Sequence, residues 1–219
     1  MPISERAAAA ALVAAALLLS ACAEAPGVAG RGAPGDRAIR AVRVAQNDVI
    51  IAGPSGYCVD PATAQDTKSG AFVLLGSCAA LGGTGRDTGR HAVLAASVSL
   101  RWFPGTTPGA AQLETFFGSA AGRASLAQGS RAGAVDLLEM RREGGVLYLK
   151  VRDGSAARPE GLGDVVWRAV FPVGDRVVSL TATSHRDVPQ SDSDLHRTLT
   201  RFVAAVTAAN RVQRPPEAA

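Results

Sequence analysis

Three histidines, His91, His185 and His196, are the side chains of this 219-residue chain best suited by type to move protons near neutral pH. His185 comes first among them. It is followed by Arg186 and Asp187, in a loop after a strand pattern, so a base, a cation and an acid stand side by side. A solvated loop explains the same trio more simply. His196 falls on the exposed side of a helix pattern and His91 at the start of a strand. None has a second ligand at helical or strand spacing, so no metal site is expected. Ser55 lies in Gly-Pro-Ser-Gly, which is not the nucleophile elbow. Asp60 and Asp87 are isolated loop acids. Asp192 and Asp194 form a carboxylate pair that helix capping accounts for. The sequence lacks both G-x-x-x-x-G-K-[ST] and C-x-x-C, which argues against a P-loop ATPase and a cysteine-cluster metalloprotein. No catalytic residue and no cofactor are expected. The other candidate for function is the aromatic pair Trp102-Phe103 before Pro104-Gly105. At a strand end it could form an exposed partner-binding tip, although core burial is the commoner fate of such side chains.

Those residues need a scaffold. Apolar residues make up 47% of the chain, enough for a core in one domain. The 23 basic residues against 19 acidic ones give +4. The arginines are dispersed and interleaved with acids, so no nucleic-acid partner is expected. The N-terminus reads as a leader. Arg6 precedes an uncharged run from Ala7 to Leu19. At about 1.5 Å per residue this run makes roughly 20 Å of helix, short of the ~30 Å needed to span a bilayer. It fits a secretory apolar region instead.

The leader ends in Leu19-Ser20-Ala21-Cys22, which resembles the lipobox of bacterial lipoproteins. The resemblance implies removal of residues 1–21 as a signal peptide and acylation of the Cys22 thiol. An ordinary signal peptide cut near Ala23 or Ala25 is the alternative. Lipidation implies a bilayer partner, on the periplasmic side of the cell envelope. Ala23 and Glu24 follow the cysteine where an Asp would favour inner-membrane retention, which leans the address to the outer membrane. Residues 22–40 then read as the lipidated cysteine and a flexible Ala/Gly/Pro/Arg tether. A single domain is expected over 41–212, with a disordered tail over 213–219. With Cys22 assigned to lipid, Cys58 and Cys78 remain, and an oxidising compartment favours a disulfide between them.

Within the domain, Asp48–Ala52 reads as a strand, with a hairpin as the other reading, and Ala71–Leu75 as a buried one. Leu81–Arg90 is a Gly-rich loop without dinucleotide-binding spacing, and His91–Leu100 resumes as a strand. Thr107-Pro108 suggests a helix start, with the helix running to Phe117 and Ala111, Leu113, Phe116 and Phe117 near one stripe. A second short helix is expected over Arg123–Gln128. Gly144-Gly145 between β-rich runs predicts a hairpin. Its register pairs Glu143 with Val146, Arg141 with Tyr148, Met140 with Leu149, Glu139 with Lys150 and Leu138 with Val151. Gly174-Asp175 turns a second hairpin that sends Trp167, Phe171, Val178 and Leu180 to the core. Leu195, Leu199, Phe202, Val203 and Val206 mark a long closing helix.

The predicted fold class is α+β. It is an antiparallel sheet, with a meander of two hairpins in its C-terminal half, packed against a mid-chain helix and a long C-terminal helix. A strand leading to Pro54-Ser55-Gly56-Tyr57, the mid-chain helix, the meander and a closing helix ending near Asn210 together resemble the PsbP-like fold, over about residues 46–210. Gly56–Asp60 with Gly70–Cys78 also resembles uncharacterised envelope proteins of alphaproteobacteria. The PsbP-like resemblance implies an assembly or interaction module. The expected function is therefore a non-catalytic, lipid-tethered module that binds or helps assemble an envelope protein. The alternative is a periplasmic hydrolase or small-ligand binder with a pocket near the Cys58–Cys78 loop and His185.

Overall fold

Among the described residues, alternating apolar residues build ten strands, and eight of them form one antiparallel sheet. The strands are β1 (Ala41–Val44), β2 (Val49–Ala52), β3 (Tyr57–Val59), β4 (Gln65–Thr67), β5 (Gly70–Ser77), β6 (Val93–Val98), β7 (Val135–Glu143), β8 (Val146–Asp153), β9 (Leu162–Val173) and β10 (Arg176–His185). The helices are α1 (Ala110–Gly118), α2 (Ala120–Leu126) and α3 (Asp192–Arg211). This computed structural model describes residues 38–83, 92–126, 135–154 and 159–211. The main sheet runs β3-β5-β6-β10-β9-β8-β7, with β4 paired to β5, while β1 and β2 form a separate hairpin. The sheet is antiparallel throughout, so the α+β class holds.

Each face of the sheet is covered by different elements. On one face, Leu94, Ala96, Trp167, Ala169, Phe171, Val178 and Leu180 pack with Leu195, Leu199, Phe202 and Val206 of α3, and with Val44, Val49 and Ile51 of the β1–β2 hairpin. On the other, Leu147, Leu149, Val151 and Val170 meet Leu113, Phe117 and Leu126 of α1 and α2. Strand β8 is consequently buried on both sides. Each large apolar side chain so buried contributes about 1.5–3 kcal/mol. Asn210 fixes the β1–β2 hairpin to the end of α3. Its amide oxygen accepts from Ile50 N at 2.9 Å, and its amide nitrogen donates to Ile50 O at 2.8 Å.

The second hairpin follows the expected register, with Phe171 opposite Val178 and Ala169 opposite Leu180. The first does so from Glu143–Val146 back to Glu139–Lys150. Beyond that a bulge intervenes: Leu137, not Leu138, sits opposite Val151, and Leu138 is exposed. The bulge and its charged neighbours blunt β7, which is the last strand of the sheet order. The mid-chain helix also starts later than expected. Gly109 is its N-cap, and Gly109 N donates to the Gln112 side chain at 2.6 Å, so Thr107 and Pro108 lie in the approach. Phe116 points outward, because the buried stripe runs through Ala110, Leu113 and Phe117. Ser119 ends α1, and its hydroxyl accepts from Gly122 N at 3.1 Å, which starts α2 at Ala120 rather than Arg123. A Cβ on Gly122 would lie 1.9 Å from Phe116 O, so only glycine fits this junction.

The sheet has two ends. At one end lie the β1–β2, β7–β8 and β9–β10 turns and the C-terminus of α3; we call it the turn end. At the other lie Cys58, Cys78, the end of β10 and the start of α3; we call it the disulfide end.

Candidate partner-binding site

The turn end is assembled around Arg176. Period-two alternation puts this first residue of β10 on the same face as Val178 and Leu180, so a guanidinium enters the core side and is 5% exposed. Burial of a charge is costly unless it is paired and hydrogen-bonded, and Arg176 is both. Its Nε and Nη2 donate to Asp48 Oδ2 at 3.1 and 2.8 Å, its Nη1 to Ser99 O at 3.0 Å, and its Nη2 to Ala45 O at 3.1 Å. One side chain thereby ties together the β1–β2 turn, the end of β6 and the start of β10.

The β1–β2 turn needs that tie. Ala45, Gln46 and Asn47 have φ of 57°, 63° and 70°. Each non-glycine residue in the left-handed region costs roughly 1–2 kcal/mol. The turn is held by Arg176 at Ala45 O and by Asp66 Oδ1, which accepts from Ala45 N at 3.0 Å.

Leaving β6, the chain makes an aromatic tip on this base. Ser99 N donates to Val177 O at 2.9 Å, and Ser99 Oγ accepts from Val177 N at 2.9 Å. Arg101 pairs with Asp48 and lies 3.9 Å from Asp175. Trp102 N donates to Asp175 O at 2.8 Å. Phe103 O accepts from Thr106 N at 3.0 Å and from Thr106 Oγ1 at 2.7 Å, and Gly105 supplies the φ of +77° that closes the turn. The backbone is pinned at its base and the side chains are presented outward. Leu100 is 55%, Trp102 43% and Phe103 83% exposed. These aromatics are not in the core, the commoner fate of such side chains, but at the surface.

The disulfide end is chemically different. Cys58 and Cys78 are bonded, as the cysteine arithmetic suggested. His185, Arg186 and Asp187 are all exposed. His185 shares a cavity of about 230 Å³ with Asp60, Leu74, Ser77 and Leu81, next to the bridged cysteines. Among the described residues, no group of three or more His, Cys, Asp or Glu side chains could hold a metal ion. Cys22, Asp87 and His91 lie outside the described residues.

His196 is not on an open helix face. It is half-buried, with ring centroids 4.6 Å from Trp167 and 5.3 Å from Tyr148, and its Nε2 is 2.6 Å from Arg141 Nη2. Burial and the Arg141 cation hold its pKa below the ordinary value, against the opposing pull of Glu143, Glu139 and Asp192. Arg141 lies over the Trp167 ring, 5.4 Å from its centroid. Asp192 does more than cap α3. It accepts from Trp167 Nε1 at 2.9 Å and pairs with Lys150 at 2.8 Å, and the Lys150 hydrogen bond holds its carboxyl below the usual range. Capping proper belongs to Ser191, whose Oγ accepts from Asp194 N at 3.2 Å. Glu139 stands opposite Lys150 in the register, but its carboxylate lies 3.6 Å from Arg141 while Lys150 turns to Asp192. These contacts staple α3 to the sheet.

Sequence reasoning found the aromatic pair and the cysteines but missed Arg176. The signal was present: an arginine in phase with Val178, Leu180 and Ala182 requires an acidic partner, and Asp48 stands in a strand-flanking polar cluster, Gln46-Asn47-Asp48.

No protein-family model matches the chain, and no curated protein matches it. Among solved structures it is similar to cyanobacterial PsbP (CyanoP) from Synechocystis sp. PCC 6803, at 14% identity, covering 84% of this chain and 96% of that one, with a TM-score of 0.40. This is a weak likeness to the PsbP-like fold, the fold that the sequence pattern resembles, and it carries no argument about function.

Proposed function

We propose that this chain is a non-catalytic module of the cell envelope. In this reading it is anchored through an acylated Cys22 on the periplasmic side, at the outer rather than the inner membrane, and it binds or helps assemble an envelope protein. The observation that carries the reading is the tip: exposed Trp102 and Phe103 on a backbone bonded to Val177 of β10 and to Asp175, with the Arg101 side chain paired to Asp48. Aromatic side chains on a rigid mount are what partner surfaces use as anchors, because little conformational entropy is lost when they are buried. The polarity of the domain supports it too. The chain enters at Ile39 and Arg40, whose carbonyls accept from Val59 N at 2.7 Å and Gly53 N at 2.8 Å. That entry is at the opposite end of the β1–β2 hairpin from the tip. A tether attached there leaves the tip facing away from its own attachment point.

The alternative of a small ligand beside His185 has two cavities to consider. The one beside the disulfide, about 230 Å³, is smaller than the roughly 300–1,000 Å³ usual for ligand pockets, whereas the one lined by Lys150, Asp164, His185, Arg186 and Asp192, about 520 Å³, falls within that range. Two experiments test the proposal. Cys22→Ala should move the protein from the membrane fraction to the soluble one; unchanged fractionation refutes the anchor. Chemical cross-linking in intact cells should join the protein to an envelope partner. Trp102→Ser with Phe103→Ser should abolish that adduct while leaving circular dichroism unchanged. An undiminished adduct refutes the tip.

A further inference from the structure

His196 has a geometry that one charge state alone permits. Its Nε2 lies 2.6 Å from Nη2 of Arg141. A guanidinium is always charged and can only donate. Nε2 is therefore the acceptor, and the single ring proton of a neutral imidazole sits on Nδ1. A second proton on the ring would occupy the accepting lone pair and set two cations in contact. The bond exists only while His196 is neutral.

That bond bridges distant parts of the fold. Helix α3 packs directly on β2, β9 and β10. Strand β7 lies two strands beyond β9. Arg141 reaches back from β7 across the Trp167 ring to meet the helix at His196. A cleft of about 620 Å³ runs beside the bridge, between β7 and the first half of α3. The charges that face the imidazole come from three elements. On β7, alternation puts Glu139 and Glu143 on the same side as Arg141, 3.6 Å from its Nη1 and 3.3 Å from its Nε. That Nε is buried and makes no hydrogen bond among the described residues. Both carboxylates are thus placed to take the guanidinium once His196 lets it go. On β8, Lys150 is held by Asp192 of α3 at 2.8 Å, and the Tyr148 ring is 5.3 Å from the imidazole. On α3 itself stand Arg197, paired with Asp194, and Arg201.

We propose that His196 and Arg141 form a pH-operated latch between α3 and strand β7. Closed, the neutral imidazole holds Arg141 over Trp167. When His196 takes a proton from solvent, the Arg141–His196 bond breaks, the guanidinium moves to Glu139 and Glu143, and β7 is freed from the helix as the cleft widens. Burial and the Arg141 charge hold the imidazole pKa below its ordinary value, so the latch is closed at neutral pH and opens in acid.

The test uses the full chain. Nitrogen-15 NMR at about pH 7.5 should show His196 as the Nδ1–H tautomer with Nε2 unprotonated; an Nε2–H tautomer overturns the latch. Hydrogen exchange, corrected for its intrinsic pH dependence, is then followed from about pH 7.5 to about pH 5, above the ordinary carboxyl range. Amides of Val135–Glu143 should lose protection about fivefold or more, while those of β10 keep theirs. His196→Gln retains an acceptor for Arg141 but takes no proton, and should remove the step. Arg141→Met should give the low protection at both pH values. No step in the unaltered protein, an equal step in His196→Gln, or an equal loss in β10 each overturns the latch.

Discussion

The two ends of the sheet stabilise exposed backbone in different ways. At the disulfide end a covalent bond between Cys58 and Cys78 joins β3 to the segment after β5, and the polar residues around it, His185 to Asp187, stand in solvent. At the turn end there is no cross-link. There, a buried guanidinium gathers three segments through four hydrogen bonds and holds three consecutive left-handed residues. The covalent device constrains the unfolded chain and requires little of the surrounding surface. The ionic device orders the native surface itself, and that surface carries the exposed aromatics. Strain and a buried charge are expensive, and they are placed under the tip rather than under the histidine.

The largest effect should come from breaking the ionic device. Arg176→Met leaves Asp48 without its buried partner and releases Ala45 O. By the general cost of orphaning one member of a buried pair, urea unfolding should show a loss of about 3–4 kcal/mol. Arg101, still paired to Asp48, limits the loss to the low end. Next comes the disulfide end. Replacing Cys58 and Cys78 by Ala opens a loop of sequence separation 20 and should cost about 3 kcal/mol in the same assay. The sharper comparison is in binding: Arg176→Met should weaken capture of the partner, whereas the cysteine variant, at a temperature where it is folded, should not.

A third prediction concerns pH, where the α3 staple should be read separately from both ends. His196 has its native pKa lowered by burial and by Arg141. The unfolded chain therefore takes up this proton near the ordinary value of about 6.5 while the native state still resists it. Stability should fall as pH drops below that value, and level off once pH is below the native pKa. His196→Gln should remove that part of the slope in chemical denaturation measured across the window. The smallest stability effect belongs to the tip. Phe103→Ser changes a side chain that is 83% exposed, so thermal unfolding should move by less than about 0.5 kcal/mol equivalent. Partner binding should nevertheless fall about tenfold or more.

How much of this was legible in the sequence depends on how local the physics is. The hairpin at Gly144-Gly145 was readable because two glycines fix the turn and alternation then fixes four pairs. It failed at Leu138, because a bulge shifts the register without leaving a glycine or proline as a mark. The core positions of β9, β10 and α3 were readable from period alone. Phe116 and the helix start were misplaced by a residue or two, because the Gly109–Gln112 cap outcompeted Thr107-Pro108. The tip residues were identified by type, but their exposure was settled by bonds to Asp175 and Asp48, which are far away in sequence. His196 looked solvent-facing along α3 because its neighbours, Trp167, Tyr148 and Arg141, come from three other strands.

The central claim is that the turn end, not the disulfide end, meets the partner. The most direct measurement places a photo-cross-linking residue at Phe103 and, separately, at Arg186, in otherwise identical full-length proteins in cells. Both positions are exposed, so reach does not bias the result. The account predicts a discrete adduct with an envelope protein from Phe103 and none from Arg186. An adduct from Arg186 with none from Phe103 would contradict it.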